Sequence, residues 1–306
     1  MLHYQHALTM LLQAVQPLPS ECLPLTASYG RFVAQPLVAP HALPPFHQSM
    51  VDGYALRSED TRTASPTHPL RFALGATLTA GEHQAQPLRP HQTIRIMTGA
   101  PLPRGADTVL KLEESEFDAG CLVLRQALRR GACIQRQGAD IPRRTLLLKP
   151  GERLTPQRIG VALALGLANV EVYRRPRVAL VAPGDELLPP GALRQPGKKW
   201  CSNLYALEIR LQELGCSSIN LGIVPDTLSS LTAKLQAGLA ADIVVILGAS
   251  GRGDHDFATR AMAAVGATTL FQGVATSPGR SITVSQRDTT LIVGLPGSPW
   301  AAFVGF

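Results

Sequence analysis

The chain has 306 residues, 45% hydrophobic and 17% charged, with Gly 27 and Pro 25. That length allows two or three domains with sizeable cores, and the composition excludes wholesale disorder and a plain helix bundle. The net charge of +7 favours anionic ligands, while five cysteines (Cys22, Cys121, Cys133, Cys201, Cys216) without a CxxC pair argue against zinc ribbons and thioredoxin-type redox sites.

Residues 1–16 place Leu2, Ala7, Leu8, Leu11, Leu12 and Val15 at helical spacing before Pro17 and Pro19, which predicts one amphipathic helix. Residues 20–45 carry prolines at 24, 36, 40, 44 and 45 and read as extended chain. Between 46 and 150, short apolar runs separated by Gly and Pro (54–56, 70–74, 93–97, 108–110, 122–124 and 145–148) predict a small β domain. Thr155-Pro156 is a helix start, with Thr as N-cap and Pro in the first turn. From Arg177 the pattern alternates. Strands are expected at 177–182, 219–224, 242–247 and 290–294, and helices at 203–214, 228–239, 257–265 and from Pro299. This alternation implies a doubly wound, mostly parallel sheet covered on both faces.

No secretory pattern opens the sequence, and no apolar run reaches the roughly 18–20 residues of a membrane span. The expectation is a cytoplasmic protein with reduced thiols and no membrane partner. Between Arg125 and Arg177 twelve Arg or Lys face three acids. The plainest reading is a solvated surface; the sharper one is a positive rim for an anion. No aromatic residue lies between Phe117 and Tyr173, so nucleic acid finds no stacking platform there.

In a doubly wound sheet, ligands bind beyond the carboxyl ends of the strands. Three loops hold that place: 182–187 with Asp185, 248–256, and Gly294-Leu295-Pro296-Gly297-Ser298-Pro299. The second combines Ser250, Gly251, Arg252 and Gly253 ahead of a helix, a setting that suits phosphate; Asp254 and Asp256 there imply a cap or a divalent cation. It is neither a Walker A loop nor a nucleophile elbow. In the third loop Ser298 is placed to cap a helix begun by Pro299. Two Pro-braced loops of the β domain, 44–55 and 96–107, gather polar groups and also read as ordinary turns. The histidines show no HExxH spacing.

Ten stretches occur together in one order: PPFHQSMVDGYA at 44–55, RIMTGAPLPRGAD at 95–107, GADI at 138–141, RLTPQRIG at 153–160, YRRPRVAL at 173–180, PGDEL at 183–187, SNLYAL at 202–207, GRGDHDF at 251–257, PGR at 278–280 and GLPGSP at 294–299. In this the chain resembles the molybdopterin molybdenumtransferase family, the MoeA-type proteins related to the C-terminal domain of gephyrin. The resemblance implies an elongated α/β plus β protein of several domains: a helical and extended linker domain (1–45 and 146–176), a β domain (46–145) and an α/β molybdopterin-binding domain (177–306). The family's small C-terminal β domain is expected to be absent, or the sequence to be a fragment. The resemblance also implies a homodimer that takes adenylylated molybdopterin and molybdate, releases AMP, and uses Mg²⁺. By matching motifs it assigns Asp52, Asp140, Asp185 and Asp254 to catalysis and Asp185 and Asp254 to the metal. Thr98, Ser250, Gly251, Gly253, Asp256, Arg280, Pro296, Gly297, Ser298 and Pro299 would bind substrate. His47, Ala139 and Cys201 stand where the family carries acidic residues. That leaves the alternative of an impaired paralogue that binds molybdopterin, molybdate or a molybdoenzyme partner without turnover.

Overall fold

The computed structural model describes residues 1–82, 86–248 and 257–306. Contacts divide the chain into a β unit, Cys22–Glu171, and an α/β unit, Met1–Glu21 with Val172–Phe306.

In the β unit the proline-rich segment stays largely extended and runs antiparallel to the returning chain. Leu43 pairs with Ile141, Leu37–Val38 with Leu146–Leu148, and Phe32 with Arg153. The Leu25 N–H donates to the Ala168 carbonyl at 2.9 Å. Helix Pro156–Ala164 begins as the sequence predicts: Pro156 fills the first turn and the Thr155 side chain accepts the Arg158 N–H. A six-stranded sheet follows the order Thr108–Lys111, Gly53–Leu56, Gln92–Ile96, Leu70–Leu78, Cys121–Leu124, Glu116–Asp118. Only the central pairing of Leu70–Leu78 with Gln92–Ile96 is parallel among these neighbours. Side chains alternate between two apolar clusters. Ala55, Ile94, Ile96 and Val109 fill one; Tyr54, Leu56, Phe72, Leu110 and Leu122 fill the other. Gly53 is required at its position, because a Cβ there would lie 1.9 Å from the Leu110 carbonyl oxygen.

The α/β unit is built on a second six-stranded sheet: Ser217–Val224, Arg177–Pro183, Ile243–Leu247, Thr290–Leu295, Thr283–Arg287, Thr268–Gln272. The first four strands are parallel and the last two antiparallel. The central strands are apolar without interruption because both faces are covered. Ala179, Val181, Val244, Ile246 and Ile292 pack against Leu231 and Leu235 of helix Leu228–Gly238 and Ala261 and Met262 of helix Phe257–Ala264. On the other face Val178, Leu180, Val245 and Leu247 meet Leu204, Leu207 and Leu211 of helix Asn203–Glu213. The sheet is therefore mixed: sequence reading placed the four parallel strands but not the 268–287 hairpin.

At the amino ends of the strands, the Arg174 guanidinium grips both Asp242 carboxylate oxygens at 2.6 and 2.7 Å, and the Arg177 N–H donates to one of them at 2.8 Å. The Arg174 hydrogen bonds, ahead of any other cause, hold the Asp242 carboxyl below its usual range. No helix among the described residues is long and apolar enough to cross a membrane.

Candidate functional site

In the β unit the family-like loops are clasped by backbone hydrogen bonds. The Gly99 N–H donates to the Ser49 carbonyl, Ser49 N–H to Ala100, and Leu102 N–H to His47. On the other side Met50 N–H donates to Cys133, Gly138 N–H to Pro44, and Gln137 N–H to the His47 Nδ1 at 3.0 Å. Residues 47–52, 97–102 and 133–140 thereby form one polar cluster. Within it the Asp52 Oδ1 accepts both the Thr98 N–H at 2.8 Å and the Thr98 hydroxyl at 2.7 Å. The first of these bonds, then the second, holds the Asp52 carboxyl below its ordinary value and so favours the anion. Asp140 is fixed differently: Gln135 Nε2 reaches its two oxygens at 3.1 and 3.2 Å while Gln135 Oε1 accepts from Gln48 Nε2 at 2.8 Å. Asp52, Thr98 and Asp140 thus stand in one loop cluster, tied in part by Gln48 and by Gln135, a partner with no signal in the sequence.

In the α/β unit, the carboxyl ends of the parallel strands surround a cavity of about 500 Å³, within the range of small-molecule sites. Asp185 follows the Arg177–Pro183 strand; its Oδ1 accepts the Asp226 N–H at 3.3 Å, and its carbonyl accepts from Lys198 Nζ. Glu186 lines the cavity and pairs with Lys199 at 3.0 Å. Burial works against the Glu186 carboxylate, yet its own backbone N–H and Lys199 hold its pKa below the usual value. Cys201 is buried, and burial raises its thiol pKa.

The Gly294–Pro299 turn closes the cavity's other side. The Asn203 side-chain amide donates to the Gly297 carbonyl at 2.9 Å, and the Gly248 N–H donates to the Leu295 carbonyl at 3.0 Å. A Cβ on Gly297 would come 3.4 Å from the Gly248 Cα, so the two loops approach closely. Gly297, Ser298 and Pro299 line the cavity, and Pro296 is buried behind them. Ser298 occupies the N-cap position of helix Pro299–Gly305, but its hydroxyl makes no capping bond. Thr283 pairs with Gly294, which brings the turn before it, with the exposed Arg280, to the same sheet end. Ser250, Gly251, Gly253, Asp254 and Asp256 lie outside the described residues.

A family model described as the MoeA N-terminal region (domain I and II) matches residues 2–166, and one described as a probable molybdopterin binding domain matches residues 179–306. The chain belongs to the molybdopterin molybdenumtransferase family. It is 35% identical to the molybdopterin molybdenumtransferase of Bacillus subtilis (strain 168), over 94% of this chain and 68% of that protein. To molybdopterin molybdenumtransferase 2 of Mycobacterium tuberculosis (strain CDC 1551 / Oshkosh) it is 32% identical, over 99% of this chain and 76% of the relative. The crystal structure of the molybdopterin biosynthesis MoeA protein from Pyrococcus horikoshii superposes with a TM-score of 0.91 at 31% identity, covering all of this chain and 77% of that one.

The Mg²⁺ expected from the sequence resemblance can be set against the donor set. No three His, Cys, Asp or Glu side chains gather to hold a metal among the described residues. Glu186 is engaged by Lys199, whereas Asp185 is exposed, with a backbone N–H on one oxygen. One available carboxylate fits Mg²⁺, which takes most of its oxygens from water and substrate phosphates.

Proposed function

We propose that the chain acts in molybdenum cofactor biosynthesis as a molybdopterin molybdenumtransferase, inserting molybdate into adenylylated molybdopterin with release of AMP. The observation that carries this reading is the cavity at the carboxyl ends of the parallel strands, lined by the family's motifs in a chain of that family. The glycine-rich turns let the backbone approach the substrate phosphates closely, and Arg280 offers them a positive charge. Ser298 presents an uncommitted hydroxyl for a phosphate or molybdate oxygen.

Attack of water on the phosphoanhydride splits it into AMP and the pterin phosphate; two Mo–S bonds then form to the dithiolene as one Mo–O bond of molybdate breaks, its oxygen leaving as water with the two thiol protons. Positioning and electrostatics supply the rate, as in other phosphoryl chemistry. Asp185, with Asp254, would hold Mg²⁺, which neutralises charge on the phosphates. Asp52, kept anionic by Thr98, and Asp140, held by Gln135, orient water or molybdate. We further propose a homodimer in the cytoplasm, whose reducing conditions suit the five free cysteines. The test is AMP release from adenylylated molybdopterin by the purified protein with molybdate and Mg²⁺. A folded protein that yields no AMP overturns the assignment.

A further inference from the structure

The cavity is lined by an aromatic side chain that the scheme above does not use. Trp200 lines it beside Cys201 and Ser202 and is 50% exposed. Among the described residues that line the cavity it is the one aromatic. The Lys199–Trp200 strand pairs in parallel with Leu187–Leu188, and the Trp200 indole N–H donates to the Ala192 carbonyl at 3.0 Å. That bond satisfies the indole's only polar group outside the cavity lining and restrains the ring's rotation. What Trp200 brings to the cavity is therefore apolar π surface, already ordered and still accessible. Exposed indoles next to a polar cavity suit flat rings, since stacking needs a π-face and little further ordering.

We propose that Trp200 is a stacking platform for a planar heteroaromatic ring of the substrate, and so sets its specificity. The inference rests on the function proposed above, whose substrate carries two such rings, a pterin and an adenine. The Lys199–Glu186 pair, which also lines the cavity, supplies polar groups there.

The test is calorimetric titration of the full chain with two probes, neopterin monophosphate and AMP. It is repeated on Trp200→Leu and Trp200→Phe, with emission read in a Trp300→Phe background so that Trp200 alone reports. One probe is expected to quench Trp200 emission. Trp200→Leu should weaken that probe's binding roughly 5- to 100-fold, as loss of base–aromatic stacking does. Trp200→Phe, which keeps a ring but loses the Ala192 hydrogen bond, should retain most of the affinity. The probe that responds identifies the ring: neopterin monophosphate for the pterin, AMP for the adenine. Wild-type affinity in Trp200→Leu overturns the stacking role and leaves the proposed function standing. Equal losses in Trp200→Phe and Trp200→Leu also overturn it, by showing that the indole only anchors the 189–197 turn. If neither probe binds the wild-type chain, the stacking role falls, while the proposed function is decided by AMP release.

Discussion

In the α/β unit the candidate residues sit where parallel strands end, and the topology of the sheet delivers them. In the β unit, Asp52, Thr98 and Asp140 lie on loops clasped by individual hydrogen bonds. The first arrangement is carried by a core on both faces of a sheet and tolerates local change. The second depends on a few named contacts, each of which can be cut by one substitution.

The difference predicts different failures. Gly53→Ala should be the most damaging single-atom insertion, because the new Cβ overlaps the Leu110 carbonyl. We expect the β unit to lose about 3 kcal/mol or more, read as an early thermal transition while the α/β unit melts unchanged; a single unaltered transition would refute it. Leu180→Ala, by contrast, hollows out the fully buried centre of the other sheet. It should cost about 2–5 kcal/mol in a denaturant titration, with the loop geometry and substrate affinity of the remaining folded fraction preserved.

Asp52→Asn keeps the shape but removes the charge that Thr98 stabilises. AMP release should drop about 100-fold with little change in melting temperature. Thr98→Val removes only the hydroxyl bond and should cost nearer ten-fold, with the Asp52 pKa rising toward its ordinary 3.8 in a carboxylate NMR titration.

Asp242→Ala breaks the part-buried clamp with Arg174 and should destabilise the α/β unit by about 1–3 kcal/mol. Folding lowers the Asp242 pKa, so the unfolded chain binds that proton first. Its contribution is complete above the ordinary 3.8 and drains away as pH falls through the lower folded value. Wild type and variant should then converge in stability toward acid. The smallest effect is expected from Asn203→Ala, which frees the Gly297 turn. A loss of about 1 kcal/mol in stability should accompany a weaker grip on the substrate.

The same contrast explains what could be read in advance. Strands 177–183, 243–247 and 290–295 are apolar beyond their first residues, Arg177 and Thr290, and alternate with helical segments, so the pattern located them within a residue or two. The Thr268–Gln272 and Thr283–Arg287 strands are rich in Thr, Ser and Gln, and Thr283 and Ser285 are buried despite being polar, so neither strand shows a clear hydrophobic period. Glu116–Asp118 is wholly exposed and gave no signal either. At the site, carboxylates and turn residues stood out through their motifs. Their partners did not: Gln135 reaches Asp140 from five positions away, and Thr98 meets Asp52 across 46 residues. Trp200 was visible only as an aromatic in a Lys- and Gly-containing loop, with nothing local to show that its N–H is satisfied elsewhere.

The Ser20–Pro24 and Asn169–Tyr173 strands pair with each other where the chain passes from one unit to the other and back. Both crossings therefore occur at a single doorway. A 150-residue stretch of polypeptide leaves and re-enters the α/β unit there, much as an insert enters a plasmid at one restriction site. The six-stranded sheet of the α/β unit takes all its strands from beyond the second crossing, so no strand of it belongs to the inserted stretch.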